Sequence, residues 1–176
     1  NRLTEVKTSR NAVIWETDAK YFYYKHGPLA RVELGHDKIQ GIDYAYTLQG
    51  WIKGMNSNKL DPATDMGKDA SATNTVFPMD ASGFTLGYYK AGFDDYEAIN
   101  SSAWSLANRF EAFTGSTGQP SNLFNARENL FNGNISLMAT SISEPYNYGN
   151  AIAPNNLVLT KKPMASAYKY DQLNRI

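Results

Sequence analysis

Residues 21–29 read YFYYKHGPL, in which four consecutive aromatic side chains precede a His-Gly-Pro break. Two other nonapeptides align with this stretch without gaps, YAYTLQGWI at 44–52 and YKYDQLNRI at 168–176. Each has Tyr at its first and third positions, Gly or Asn at its seventh, and Leu or Ile at its ninth. We interpret the shared positions as those of a structural repeat. They are Tyr21, Tyr23, Gly27, Leu29, Tyr44, Tyr46, Gly50, Ile52, Tyr168, Tyr170, Asn174 and Ile176.

The spacing of these positions predicts a β-hairpin. Two tyrosines that are two residues apart lie on the same face of a strand, where they can pack over the neighbouring strand. The Gly or Asn at the seventh position accepts the left-handed backbone conformation that reverses the chain. The apolar ninth residue then returns to pack near the tyrosines. We therefore expect successive antiparallel hairpins.

Hydrophobic alternation predicts further strands in the first 56 residues. Apolar and polar side chains alternate at 30–34 and again at 42–47, as in a strand with one solvent-facing side. Segments 6–10 and 13–16 are predicted to be strands that flank an Asn-Ala turn. Segment 20–25 carries aromatic side chains on both faces, so we expect both faces of that strand to be covered.

The middle of the chain has a different pattern. Residues 57–92 are rich in polar turn formers and predict a long exposed loop with one short strand-like stretch, FTLGYYKAGF. Residues 94–113 carry apolar side chains at steps of three and four, which predicts a helix. Strands are predicted again at 129–131, 135–143, 157–160 and 167–171. The chain is thus divided into β-hairpins at 1–56, a loop-rich insertion at 57–128 and resumed hairpins at 129–176.

The composition excludes several classes of site. Seventeen basic and seventeen acidic residues leave no electrostatic footprint for nucleic acid or an anionic membrane. The absence of Cys excludes disulfides and Cys-ligated zinc. No apolar run approaches the roughly 20 residues that span a bilayer.

The chain begins without Met or a signal-peptide pattern and ends abruptly, so we expect it to be a segment of a longer polypeptide.

The nonapeptide YKYDQLNRI resembles the YD repeat, Tyr-x-Tyr-Asp-x-x-Gly-Arg-Leu/Ile, of Rhs (rearrangement hotspot) proteins and related toxin-complex shells. The matching residues are Tyr168, Tyr170, Asp171, Arg175 and Ile176, with Asn174 in place of Gly. The motif Asp is replaced by Tyr24 and Thr47 in the first two nonapeptides. The longer stretches 13–56 and 129–176 are similar to the Rhs-repeat proteins of Bacteroidetes-type bacteria.

This resemblance implies β-hairpins that are wound side by side into a spiralling shell around a C-terminal toxin or effector. Its partners would be neighbouring repeats of the same polypeptide and the enclosed segment, and its location would be secreted or at the bacterial cell surface. The implied function is structural and non-enzymatic, with no catalytic, cofactor-binding or metal-binding residue. Many such shells end with a self-cleaving Asp-Pro site, but Asp61-Pro62 lacks the following Gly-Leu context, so we do not assign that activity.

An alternative function is a secreted carbohydrate-binding or surface-adhesion β module that recognises surface glycans with exposed Tyr and Trp side chains. Phe22 and Tyr24 are the aromatic residues of the first nonapeptide that are not repeat positions, so a ligand face would lie there. Trp51 and Trp104 are interpreted as strand and helix core residues.

The histidines and the loop aspartates provide no recognisable metal motif. His26 and His36 lie in predicted turns, and neither has the spacing of a zinc site. Asp61, Asp65 and Asp69 recur every four residues, but they lack the alternating oxygen ligands and terminal Glu of an EF-hand loop. We therefore expect these three side chains to be solvated.

Glycosidase chemistry needs two carboxyl groups that face one cleft, and the start of the predicted helix carries three carboxylates. Asp94, Asp95 and Glu97 suit a helix N-terminus, and this role explains them without catalysis. No G-x-S-x-G, P-loop or Rossmann glycine pattern is present. The sequence therefore nominates no catalytic residue.

Overall fold

Eight β-strands of the described residues follow one another in chain order across one antiparallel sheet. The computed structural model describes residues 1–58, 60–62, 65–88, 130, 132–143 and 164–171. The strands are β1 (Glu5–Thr8), β2 (Glu16–Tyr23), β3 (Leu29–Leu34), β4 (Gln40–Tyr46), β5 (Ile52–Met55), β6 (Ser82–Gly87), β7 (Leu137–Ile142) and β8 (Met164–Ala167). The prediction of a mainly β chain is confirmed for this part of the molecule.

The hairpins β2–β3 and β4–β5 share one geometry. In both, the register shifts between the second and third positions of the nonapeptide, which marks a β-bulge. In both, the third position pairs with the ninth: Tyr23 with Leu29, and Tyr46 with Ile52. The same irregularity at the same place indicates that the two nonapeptides specify the same local fold.

The turns of these two hairpins also have the same backbone hydrogen bonds. The N–H of the fourth position donates to the carbonyl of the eighth, at 2.9 Å in the first hairpin and 2.7 Å in the second. The N–H of the seventh position donates to the carbonyl of the fourth, at 3.0 and 2.9 Å. The seventh residues, Gly27 and Gly50, have φ of 128° and 85°, which side chains rarely adopt. The positive φ expected for these glycines is confirmed.

The third nonapeptide begins just after β8, and its first residues contact the segment before β7 as those of the first nonapeptide contact the segment before β1. The Tyr168 N–H donates to the Ser136 carbonyl at 3.0 Å, and the Tyr21 N–H donates to the Thr4 carbonyl at 2.9 Å. Each acceptor directly precedes a strand, β7 or β1. The expected strand at 167–171 is wrong for Tyr168 onward, because β8 ends at Ala167.

The third residue of each of these nonapeptides makes an equivalent side-chain contact. The Tyr23 hydroxyl donates to the Leu3 carbonyl at 2.8 Å, and the Tyr170 hydroxyl donates to the Ile135 carbonyl at 2.9 Å. Leu3 lies two residues before β1 begins, and Ile135 lies two residues before β7 begins. The phenol groups therefore satisfy backbone carbonyls that the sheet itself leaves unpaired.

The loop between β1 and β2 differs from the prediction. Segment 13–16 was expected to be a strand, but β2 begins only at Glu16. The Asn11 side-chain oxygen accepts the N–H groups of Val13 (3.0 Å) and Ile14 (2.9 Å), so these donors are used within the loop rather than in a strand pair.

The expectation that both faces of 20–25 are covered is also wrong, since Phe22 is 46% exposed.

The segment between β5 and β6 covers part of the sheet. The prediction of an exposed loop is wrong for several of its residues, because Leu60 and Phe77 are buried. Asn56 anchors the start of this segment: its N–H donates to the Asp43 carbonyl, and its side-chain oxygen accepts the Asp43 N–H, both at 2.8 Å. The Asn56 side-chain amide also donates to the Ser82 carbonyl at 2.9 Å.

A small apolar core lies near the end of the sheet, where Leu137 and Ala139 of β7 pack against alanines of β8.

The strand-like stretch expected at 84–93 overlaps β6, which pairs with β5 and β7. The predicted helix at 94–113, the strand at 157–160 and most of the strand at 129–131 lie outside the described residues, as do Asp94, Asp95, Glu97, Trp104, Asn174, Arg175 and Ile176.

Candidate functional site

Among the described residues, three acidic side chains pair with the guanidinium of Arg31, and two more lie beside those carboxylates. We call this set the Arg31 cluster; its members are Arg31, Glu33, Asp43, Asp65, Asp69 and Asp80. The strands place three of them on one face of the sheet. Arg31 and Glu33 are two residues apart on β3, and Asp43 of β4 pairs directly with Arg31. The loop between β5 and β6 supplies the remaining three carboxyl groups.

Arg31 forms an ion pair with each of three carboxylates. Its guanidinium donates to Asp43 Oδ2, and one nitrogen contacts both oxygens of Asp69 at 2.8 and 3.1 Å. Arg31 Nε donates to Glu33 Oε1 at 3.4 Å. The Arg31 side chain is 14% exposed and that of Asp69 is 0% exposed. These are therefore buried pairs, whose Coulomb attraction offsets a large desolvation penalty.

The guanidinium is enclosed by one aromatic ring and two glycines. It lies over the Phe77 ring, with 4.6 Å between its central carbon and the ring centroid. A Cβ atom at Gly41 would overlap the Arg31 and Asp69 side chains, and one at Gly67 would overlap those of Arg31 and Asp43. The site therefore requires glycine at two positions, where the backbone approaches the ion pairs closely.

Asp65 and Asp80 lie beside the ion pairs without contacting Arg31. The Asp69 N–H donates to Asp65 Oδ2 at 3.0 Å, which holds the Asp65 carboxylate in place. Asp65 Oδ1 is buried, and no group in the described part of the chain donates to it. Gln40 Nε2 donates to Asp80 Oδ1 at 3.0 Å. A hydrogen bond between Asp65 and Asp80 requires a proton on one of the two carboxyl groups.

Burial raises the pKa of several carboxyl groups of the cluster, and neighbouring carboxylates add to the effect. Burial raises the pKa of Asp43 to about 7, against the opposite effect of Arg31. Burial and then the negative charge of Asp65 raise the pKa of Asp80 well above its ordinary range. Burial also lowers the pKa of Arg31, but the Asp69 and Asp43 carboxylates outweigh it and raise that pKa. The cluster thus holds more carboxyl groups than one guanidinium pairs with, and their raised pKa values favour protonation of some of them.

The expectation of solvated loop aspartates is wrong for two of the three. Asp65 and Asp69 are buried, and only Asp61 is exposed. Oxygens of Asp43, Asp65 and Asp69 lie within 4.8 Å of one another, a grouping that can hold a metal ion. The four-residue spacing of Asp65 and Asp69 is visible in the sequence. Nothing in the sequence indicates that these two residues meet Asp43, which belongs to a strand.

Among the described residues, none of the predicted repeat positions is a member of the Arg31 cluster. Those on strands are Tyr21 and Tyr23 of β2, Leu29 of β3, Tyr44 and Tyr46 of β4, and Ile52 of β5; those outside strands are Gly27, Gly50, Tyr168, Tyr170 and Asp171. The second tyrosine of the second unit makes a ring contact: Tyr46 packs edge-on against Tyr24, with 6.4 Å between ring centroids.

The remaining aromatic and histidine candidates make separate contacts and do not form one site. Tyr24 donates its hydroxyl to the Tyr44 carbonyl at 2.7 Å and stacks on His26, so its ring is committed to the hairpin. Phe22 is the more exposed of the two extra aromatics. His36 is exposed in a turn, as expected. Trp51 packs on Tyr88 with 5.2 Å between ring centroids, but it lies just before β5 and is half-buried rather than a strand core residue.

The chain was compared with protein families, curated proteins and solved structures. No protein-family model matches the chain, and comparison with curated proteins and with solved structures found no match. In the portion that the structure describes, no helix has the length and apolar character needed to cross a membrane.

Proposed function

We propose that this chain is a non-enzymatic structural segment of an Rhs/YD-repeat protein and that it builds part of a β-shell. The observation that carries the proposal is the shared geometry of residues 21–29 and 44–52. The two nonapeptides have the same bulge, the same cross-strand pair and the same turn hydrogen bonds. Units of a repeat are expected to perform the same structural role wherever they recur.

The contacts of the third nonapeptide add support from a distant part of the chain. Tyr168 and Tyr170 contact the segment before β7 as Tyr21 and Tyr23 contact the segment before β1. In both units the first tyrosine donates its backbone N–H, and the second its hydroxyl, to residues just before a strand, so the two units use the same contacts. Such a segment gains stability mainly within an array of similar units.

The edges of the sheet are compatible with continuation into further repeats. Among the described residues, β1 and β8 each pair with one strand, so the other edge of each presents backbone groups to which a strand can add. In the proposed protein these edges contact neighbouring repeats of the same polypeptide. The complete shell encloses a C-terminal toxin or effector and is secreted or held at the bacterial surface.

Hydrogen exchange of the isolated chain tests this proposal. Amides of the central hairpins, residues 16–55, should exchange at least about tenfold more slowly than those of 168–176, which lack the next repeat. Equal protection of the two regions in a monomer would contradict the proposal that 168–176 is a repeat unit that pairs with a further repeat. Size-exclusion chromatography with light scattering must accompany the measurement, because a dimer could cover the edge.

One observation favours the alternative function, a carbohydrate-binding or adhesion module: Phe22 and Trp15 are exposed aromatic side chains. A glycan array should give no saturable binding if the chain is only structural. Binding that is lost in Phe22→Ala but kept in Ile142→Ala, a control at another exposed apolar side chain, would favour the module instead.

A further inference from the structure

We propose that the Arg31 cluster binds one hard divalent cation of the Ca²⁺ and Mg²⁺ class through the carboxylates of Asp43, Asp65 and Asp69. This inference is independent of the proposed repeat function. It starts from proximity: each of the three residues offers a carboxylate oxygen, and these oxygens lie within 4.8 Å of one another. Oxygens at such separations can share one ion at the bond lengths of about 2.3–2.6 Å that Ca²⁺ takes.

The second observation is the unsatisfied oxygen of Asp65. Asp65 is 5% exposed, and its Oδ1 atom receives no hydrogen bond from the described residues. Its other oxygen is fixed by the Asp69 N–H at 3.0 Å, so the carboxylate cannot turn away without losing that bond. A buried, unpaired carboxylate oxygen is costly, and a cation that contacts it removes the cost.

The charge of the cluster points in the same direction. The cluster contains five carboxyl groups and one guanidinium, and the Lys38 ammonium lies 5.4 Å from the centroid of the Phe77 ring. Arg31 contacts Asp43 and Asp69 and therefore keeps two of the three proposed ligands together. It acts as a positioning residue, since it touches the ligands and not the ion.

The ligand atoms remain available beside these contacts. A carboxylate has about four lone-pair sites, so an oxygen that accepts a hydrogen bond can still contact a cation. Asn74 Nδ2 donates to Asp69 Oδ1 at 2.9 Å and to the Gly67 carbonyl at 3.0 Å, which orients the loop at this point. Three carboxylates provide part of the six to eight oxygens that Ca²⁺ takes, and water completes the shell.

The competing explanation of the Asp65 environment is a proton shared with Asp80. A protonated Asp80 would donate to Asp65 and leave no need for an ion. In one explanation the site binds a divalent cation, and in the other it holds only a proton. Titration with the cation therefore distinguishes them. A cation would also join the β5–β6 loop to the sheet, since Asp65 and Asp69 come from the loop and Asp43 from β4.

The test is calorimetric titration of the EDTA-treated full chain with CaCl₂ and, separately, with MgCl₂, each up to about 10 mM. We expect one equivalent to bind, together with a rise of several degrees in the melting temperature. Asp65→Asn should weaken binding at least tenfold. Its melting temperature without added cation should be equal to or above that of the wild type, because the variant removes a buried charge.

Asp61→Asn is the matched control, since Asp61 is an exposed aspartate four residues earlier in the same loop. It should bind the ion as the wild type does. If Asp65→Asn fails to fold, the wild-type stoichiometry and the Asp43→Asn variant provide the same test. The proposal is overturned if neither ion binds the wild type, or if the Asp65 and Asp43 variants bind as tightly as the control.

Discussion

The replacement Arg31→Met should destabilise the chain more than the removal of any exposed charge. The two side chains have similar length, so the change removes the guanidinium and leaves its aliphatic stem nearly intact. The lost contacts are the ion pairs to Asp43, Asp69 and Glu33 and the contact with the Phe77 ring. Asp69 is the most affected partner, because its side chain has no solvent exposure.

The magnitude follows from burial. Removal of one partner of a buried ion pair costs about 3–5 kcal/mol, because the other partner is left charged in the protein interior. Protonation of Asp43 offsets part of this loss at low pH, since its pKa of about 7 allows it to become neutral. We expect about 3–5 kcal/mol near pH 8 and a smaller loss near pH 5.5. In a chain of this size the larger loss lowers the melting temperature by roughly 10 °C.

The assay is urea unfolding, followed by far-UV circular dichroism at both pH values and with EDTA present. Arg10→Met is the control, because Arg10 is exposed and its loss should change the free energy of unfolding by less than about 0.5 kcal/mol. Arg31→Lys should fall between the wild type and Arg31→Met, since it keeps the charge but not the paired geometry. A loss below about 1 kcal/mol at both pH values, or one that does not depend on pH, would refute the electrostatic explanation.

Four further predictions concern the same sheet. Without divalent cations, stability should fall as pH rises from about 4 to about 7, because the folded state holds a proton on Asp43 that the unfolded state releases earlier. Asp43→Asn should make this slope shallower in urea unfolding, and the raised pKa of Asp80 should account for the slope that remains. Tyr23→Phe and Tyr170→Phe should each cost about 1 kcal/mol, as each loses one hydroxyl bond to a backbone carbonyl. Gly50→Ala should cost about 1–2 kcal/mol from its positive φ alone, since no atom lies within 4 Å of the added carbon. Gly41→Ala should cost more than Gly50→Ala in the same assay, because the added carbon overlaps the ion pairs of Arg31.

The hairpins could be predicted because their signals are local. The nine residues of one unit contain the strand, the turn glycine and the returning apolar side chain, and they act on one another directly. Alternation alone located β3 and β4 to within about two residues. The same reasoning was wrong for 13–16, where apolar residues suggested a strand but the Asn11 side chain takes the backbone donors of Val13 and Ile14.

The Arg31 cluster could not be predicted because its contacts join distant parts of the chain. Arg31 and Asp69 are separated by 38 positions, and a polar loop with turn formers is normally expected to be solvated. The alternation that located β3 also assigned Arg31 to the side that faces solvent. That side is covered by the loop, so the strand was predicted and its environment was not.

The position of the cluster relates it to the proposed repeat. Arg31 lies on the second strand of one hairpin and Asp43 on the first strand of the next, so their ion pair crosses the junction between two units. The pairing there is regular over four residue pairs, whereas both hairpins contain a bulge. A slip of one residue would place Asp43 opposite Ala30 or Val32 and move its side chain to the other face. Arg31 would then lose this partner, and Asp43 would be left without its cation. The buried ion pair therefore adds to the turn at 35–39, where the Ile39 N–H donates to the Leu34 carbonyl at 2.9 Å, in favouring a single register.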